Sequence, residues 1–212
     1  FVALPNVAYW NLFCLGQALH PLIGDEDRTV AAIEAYRPRF SAAFAALMRR
    51  KLGLAPLADA SNAAATASTT EEQDPATPVV GQLLQLLASQ QVDYTIFWRR
   101  LSAAAASGSY QAVSELFLDQ AAWQAWLLSY QELFTRTHSA PDADLMLKTN
   151  PGFVLRNHLG EIAIRAAQAG DGQVLQQLQT VLAAPYAEHP AHNDWAGFPP
   201  DWASSISISC SS

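Results

Sequence analysis

The sequence predicts an all-α protein, a bundle of roughly eight to ten helices with an irregular C-terminal tail. Three observations predict it. Apolar residues recur at three- and four-residue spacing through most of the chain. Aspartates stand directly before several of these runs, where a carboxylate caps the free N–H groups of a helix start. Strand-like alternation is confined to Ile206-Ser207-Ile208, a very short strand or an extended tail.

The elements follow in order. Val7, Trp10, Asn11, Cys14, Leu15 and Ala18 form one helical stripe, which Pro21 and Gly24 are expected to end. Asp25 and Asp27 open a second helix that runs to Leu52 with Gly53 as its stop; Pro38 inside it predicts a kink or a break. Residues 55–77 are rich in Ala, Ser, Thr and Asn and read as a surface loop or linker. A short amphipathic helix covers Val79 to Gln91. Asp93 caps the next, whose apolar face is Tyr94, Phe97, Trp98 and Leu101, and Ser107-Gly108-Ser109 breaks it. A short piece spans Gln111 to Leu118. Asp119 caps a longer helix through Thr137, with an aromatic stripe of Trp123, Trp126, Tyr130 and Phe134. His138 to Pro141 turn, and Asp142 to Thr149 is a short helix. Asn150-Pro151 reads as the opening of a further helix closed by Gly170, because proline suits a first turn. Val174 to Leu182 is the last helix, ended by Ala184-Pro185-Tyr186.

This order divides the chain into residues 1–54, an N-terminal helical part; 55–78, a linker or loop; 79–185, the main bundle; and 186–212, an irregular tail. Trp10, Phe97, Trp98, Trp123, Trp126, Phe153 and Leu155 are the expected buried side chains, and Cys14 is expected on a buried face.

With 212 residues, half of them hydrophobic, the chain is long enough for a substantial core. Its net charge of −7 and the lack of a basic cluster argue against nucleic acid as a partner. Arg49-Arg50-Lys51, the longest basic run, ends a predicted helix, where cations complement the dipole. No apolar run reaches the roughly 18 residues a membrane helix needs. The apolar N-terminus lacks the positive region of a signal peptide and does not begin with Met, so the chain is expected to start inside a longer protein. Two cysteines, Cys14 and Cys210, are too few for a disulfide framework, and a reducing, cytoplasmic setting is the default.

The common catalytic and nucleotide-binding motifs are not found: no GxGxxG, P-loop, GxSxG, HExxH or CxxC. His189, His192 and Asp194 are close in sequence, but spacing alone is a weak warrant for a metal site. His158 reads as a core or surface histidine before a catalytic base. Arg156, in an apolar setting, needs a partner. A salt bridge to Asp171, Asp201 or Asp93 is the structural reading, and phosphate contact the functional one. Arg99-Arg100 poses the same choice. Trp123 and Trp126 read as core before a stacking platform. Cys210, on a terminal serine-flanked tail, is an accessible thiol with a possible redox role.

Several segments in order carry a resemblance. PNVAYWNLFCLGQAL (from Pro5), DYTIFWRRLS (from Asp93), NPGFVLRNHLGEIAIRAAQAGD (from Asn150), LAAPY and PPDWASSISISCSS resemble the C-terminal part of the SelO (YdiU) family. Cys14 departs from the polar or basic residue usual there, the loop of residues 55–77 is lengthened, and Pro38 interrupts a usually continuous helix.

The resemblance implies the C-terminal lobe of a protein-kinase-like fold. It also implies an enzyme that transfers AMP from ATP, with Mg2+ or Mn2+, to hydroxyl side chains of protein substrates. The family's nucleotide, metal and catalytic residues lie in segments preceding Phe1, so none is expected in this chain, which alone is expected to be inactive. Its first partner is then the N-terminal catalytic part of the same protein. Cys210 is the one position the resemblance links to redox control. A self-standing helical interaction module without catalysis is the alternative reading.

Overall fold

The computed structural model describes residues 3–56, 74–136 and 138–206. Among these it is all-α: ten α-helices and two 3-10 helices, with no strand. The alternation at Ile206-Ser207-Ile208, read as a very short strand or an extended tail, lies outside the described residues beyond Ile206, as do Cys210 and most of the 55–77 loop. The fold divides into two units, formed by the described parts of Phe1–Arg50 with Ala55–Gly81, and of Lys51–Leu54 with Gln82–Ser212.

The first unit contains α1 (Ala3–Ile23), α2 (Glu26–Glu34), α3 (Tyr36–Lys51, except its last residue) and the start of α4 (Ala76–Ser89). α1 runs two residues past Pro21 and stops at Gly24, whose φ of +66° suits glycine and whose N–H reaches the His20 carbonyl. Asp25 caps α2 by accepting from the Arg28 amide at 3.0 Å. The break expected at Pro38 lies three residues earlier, at Ala35. The reason is steric. A proline ring clashes with the carbonyl four residues back, here Glu34, and is tolerated in a helix's first turn. So α2 ends at Glu34 and Pro38 takes the third position of α3. Farther along α3, Arg49 pairs with Asp74 at 2.6 Å, and the same carboxylate oxygen accepts the Ala76 amide at the start of α4.

The second unit contains the rest of α4, α5 (Tyr94–Ser107), α6 (Gln111–Ser114), α7 (Gln120–Thr135), α8 (Ala143–Thr149), α9 (Asn157–Gln168) and α10 (Gln173–Ala183). The 3-10 helices Pro190–Ala196 and Asp201–Ser205 follow. Asp93, Asp119 and Asp142 each cap their helix through the amide three residues on, as their placement predicts. The core is a column of rings. Phe117 stacks on Trp123 with centroids 4.7 Å apart, Trp123 on Trp126 at 5.4 Å, and Trp126 on Tyr130 at 5.2 Å. Phe97 meets this column edge-on. The Tyr130 hydroxyl donates to the Leu52 carbonyl at 3.0 Å. Phe97, Trp98, Trp123, Trp126 and Phe153 are buried as expected.

Two expectations of burial fail, and a third with them. Trp10 and Leu155 are both 63% exposed, and Cys14 is exposed. Trp10 and Cys14 lie on an apolar stripe, as read, but among the described residues nothing covers that stripe. Leu155 fails because Asn150 to Arg156 is not helical. Asn150 and Arg156 have extended backbones, and α9 begins only at Asn157. A residue before proline is disfavoured in the helical region. The segment instead forms a strap, with the Gly152 and Phe153 amides donating to the Pro185 carbonyl. Phe153 then turns in and Leu155 out. Gly170 closes α9 with φ +87°, as predicted.

Candidate functional site

The strap Asn150–Arg156 gathers the polar side chains of the second unit. At its start, Asn150 is fully buried. Its amide donates to the Lys51 carbonyl at 3.1 Å and to Ser102 Oγ at 2.9 Å, and its Oδ1 accepts from Lys51 Nζ at 2.9 Å. Ser102 in turn donates to the Trp98 carbonyl. The ammonium lies over the rings of Trp98 and Tyr94, 4.9 and 5.4 Å from their centroids. Burial lowers the Lys51 pKa to about 8. Burial likewise raises Tyr94, Tyr110 and Tyr130.

Beside this hub Arg99, on α5, acts as a clamp. Its Nη1 reaches the carbonyls of Leu147 and Asn150 at 3.3 Å and that of Tyr186 at 3.5 Å, and its Nη2 pairs with Glu188. Arg100 donates to the Ala112 carbonyl and lies over Phe198. The structural reading of both arginines describes these contacts.

At the end of the strap, Arg156 takes Asp93 of the three carboxylates proposed for it. The two Nη atoms bind the two Oδ atoms at 2.6 and 3.0 Å, a bidentate pair that is mostly shielded from solvent. The same Asp93 caps α5 through the Ile96 amide. Burial raises the Asp93 pKa, but the Arg156 hydrogen bonds, the Ile96 amide and the Arg156 charge together outweigh it and hold the carboxyl below its usual value. An open cleft of about 750 Å3 adjoins the pair, lined by Arg156, Asn157, His158, Phe198, Asp201 and Ser204 among others. His158 is buried and meets Trp202 edge-on at 6.2 Å. Burial, and then the Arg156 charge, lowers its pKa.

The remaining sequence candidates do not converge. His189 sits against the Ala184 carbonyl at 3.0 Å, while His192 stacks on Trp195. Among the described residues no three His, Cys, Asp or Glu side chains gather to hold a metal ion. Arg156 and Arg99 are committed to Asp93 and Glu188. What sequence reasoning missed is Lys51 with Asn150. The one available signal was Asn before Pro in a chain where four helices start with a capping Asp. The seam organises backbone. It joins Lys51 at α3's end, α5, α8's end and the turn after α10.

Cys14 is the accessible thiol of the described chain, the reverse of the expectation. Iodoacetamide should label it in the native chain at the rate of a free thiol, by peptide mass spectrometry. Labelling that requires denaturant would contradict this exposure.

Residues 1–183 match the family described as Protein adenylyltransferase SelO. Among curated relatives, the chain is 53% identical to the Protein nucleotidyltransferase YdiU of Albidiferax ferrireducens over 98% of its own length and 40% of the relative's. It is 50% identical to the protein of that name from Variovorax paradoxus, again over 98% of this chain and 39% of the relative. The Ralstonia nicotianae protein is 39% identical over 98% and 41%. The chain thus spans about two-fifths of the length of the relatives it matches.

Proposed function

The chain belongs to the SelO family of protein adenylyltransferases, and we propose that it serves as the C-terminal helical region of such an enzyme. In the proposed reaction a serine, threonine or tyrosine hydroxyl of a protein substrate attacks the α-phosphorus of ATP. The new O–P bond forms as the α–β anhydride bond breaks, pyrophosphate leaves, and the hydroxyl proton is lost. ATP and its Mg2+ or Mn2+ are held, in this reading, by the N-terminal catalytic part of the same protein, in the cytoplasm.

The observation that carries the reading is the family match across 183 residues combined with the state of this chain's polar groups. Phosphoryl and nucleotidyl transfer needs cations, backbone amides and metal-holding carboxylates aimed at phosphates. Here Arg156 pairs with Asp93, Arg99 pairs with Glu188 and donates to backbone carbonyls, and Lys51 donates to the Asn150 side chain. The role supported for this region is therefore to scaffold, not to hold nucleotide. Cys210 lies outside the described residues and is the proposed redox position on the strength of the resemblance.

Titration calorimetry tests the division of labour. This chain with ATP and magnesium should give no binding heat even at millimolar nucleotide, whereas the full-length Albidiferax ferrireducens relative should bind and transfer AMP. Micromolar binding by this chain would place nucleotide contacts within it and overturn the proposal.

A further inference from the structure

α1 has 21 residues and none of them is Asp, Glu, Lys or Arg. A surface helix has one apolar stripe and one polar face; α1 has no charged face, and its polar side chains Asn6, Asn11, Gln17 and His20 are dispersed among the apolar ones. One side of α1 is covered. Gly16 lies so close to α2 that a Cβ there would sit 2.5 Å from Ile33 Cδ1 and 3.2 Å from Thr29 Cγ2. Successive helical residues turn by about 100°, so Val7, Trp10, Phe13, Leu15, Leu19 and Leu22 are spread round the rest of the helix, and all are exposed. Single exposed apolar residues are ordinary, but a contiguous set of this extent marks a surface that another chain segment covers.

The distribution selects what covers it. No described helix is long and apolar enough to cross a membrane, and a bilayer surface meets one face of a helix only. A second copy or a transient partner docks on one face and leaves the opposite face wet. Polypeptide continuous with the same fold can close round several faces. The relatives supply such polypeptide: the matched segment is about two-fifths of their length. We infer that α1 is an interior helix of the complete enzyme, enclosed by the N-terminal catalytic part of the family's chain, with Trp10 and Leu15 among the side chains that part buries. This rests on the adenylyltransferase reading for the identity of the occupant.

The test compares the 212-residue chain with a full-length chimera, the Albidiferax ferrireducens relative carrying this chain in place of its matched segment. Cys14 on α1 is the probe. Its alkylation, read by peptide mass spectrometry without ATP, should be slower in the chimera by on the order of a hundredfold, because labelling then waits on local opening. Trp10→Asp should lower the chimera's melting temperature and leave that of the chain alone unchanged. Leu118→Asp, at a site 94% exposed on the second unit, should change neither. Equal Cys14 labelling in chimera and chain would overturn the inference. So would Cys14 protection in the chain alone accompanied by dimerisation in sedimentation, which would make a second copy the occupant. Protection without AMP transfer would remove the enzymatic reading and leave the inference standing. AMP transfer with freely labelled Cys14 would do the opposite.

Discussion

Replacing Asn150 by alanine should lower the stability of the isolated chain by about 3 kcal/mol, read as a shift in urea midpoint without a change in slope. The magnitude follows from what the side chain satisfies. Asn150 is fully buried and makes three hydrogen bonds, one from the Lys51 ammonium and two to the Lys51 carbonyl and Ser102. Alanine leaves Ser102 Oγ and the Lys51 carbonyl short of a donor, and leaves an ammonium inside the fold with only ring faces beside it. An orphaned buried polar group costs about 1–3 kcal/mol, and an orphaned charge more. A loss under about 1 kcal/mol would mean that water replaces the amide and that the hub is not an organiser.

The same hub sets a pH dependence. Lys51 is held at a pKa of about 8 in the fold, against an unfolded value of about 10.4. Between these values the unfolded chain binds more protons than the native one, so stability rises with pH over that window and is lost as pH falls through about 8. Above about pH 10 the trend reverses, because Tyr94, Tyr110 and Tyr130 keep their protons longer in the fold than in the unfolded chain. Lys51→Met should flatten the rise between pH 8 and 10 while leaving the downturn above it.

The helix starts were legible because they are local chemistry. Asp25, Asp93, Asp119 and Asp142 each accept the amide three residues on, a bond the sequence itself places within reach. The all-α class followed from the same local signals. What was not legible depends on distant partners. Arg49-Arg50-Lys51 satisfied a helix-dipole reading, yet Lys51 answers to an asparagine 99 residues on. Asn150-Pro151 satisfied a helix-start reading, yet the Pro185 carbonyl and the Asn150 side chain hold the segment extended. Periodicity along α1 marked Trp10 and Cys14 as apolar-face residues, but a pattern says which face is apolar and not what covers it. For Arg156 the sequence narrowed the partner to three carboxylates, and geometry chose Asp93, 63 residues away.

That choice underlies the second large effect. Asp93→Ala should cost about 3 kcal/mol, more than a helix cap alone, because one carboxylate does two jobs. It accepts the Ile96 amide at the start of α5, and it binds both Nη atoms of Arg156 just before α9. Loss of a cap is worth about 1 kcal/mol. The remainder is the penalty of a guanidinium whose side chain is only 12% exposed and has lost its counter-ion. The components separate by substitution. Asp93→Asn keeps a capping oxygen and removes the charge, so it should cost less than alanine and still weaken the tie to α9. Arg156→Met removes the pair and leaves the cap, and the double variant Asp93→Asn/Arg156→Met should be more stable than Asp93→Asn alone, because no orphaned charge remains. The pH profile gives an independent readout. With the folded carboxyl held below its ordinary value, its contribution is fully present above about pH 4, the unfolded carboxylate range, and is lost as pH falls through the folded pKa. Acid melts of the parent chain should therefore steepen below that point relative to Asp93→Asn, which has no proton to take up at this site. Parallel acid limbs for parent and variant would show that Asp93 is not ionised against Arg156 in solution, and the strap would then owe its position to the Asn150 hub, the Arg99 clamp and the Pro185 carbonyl.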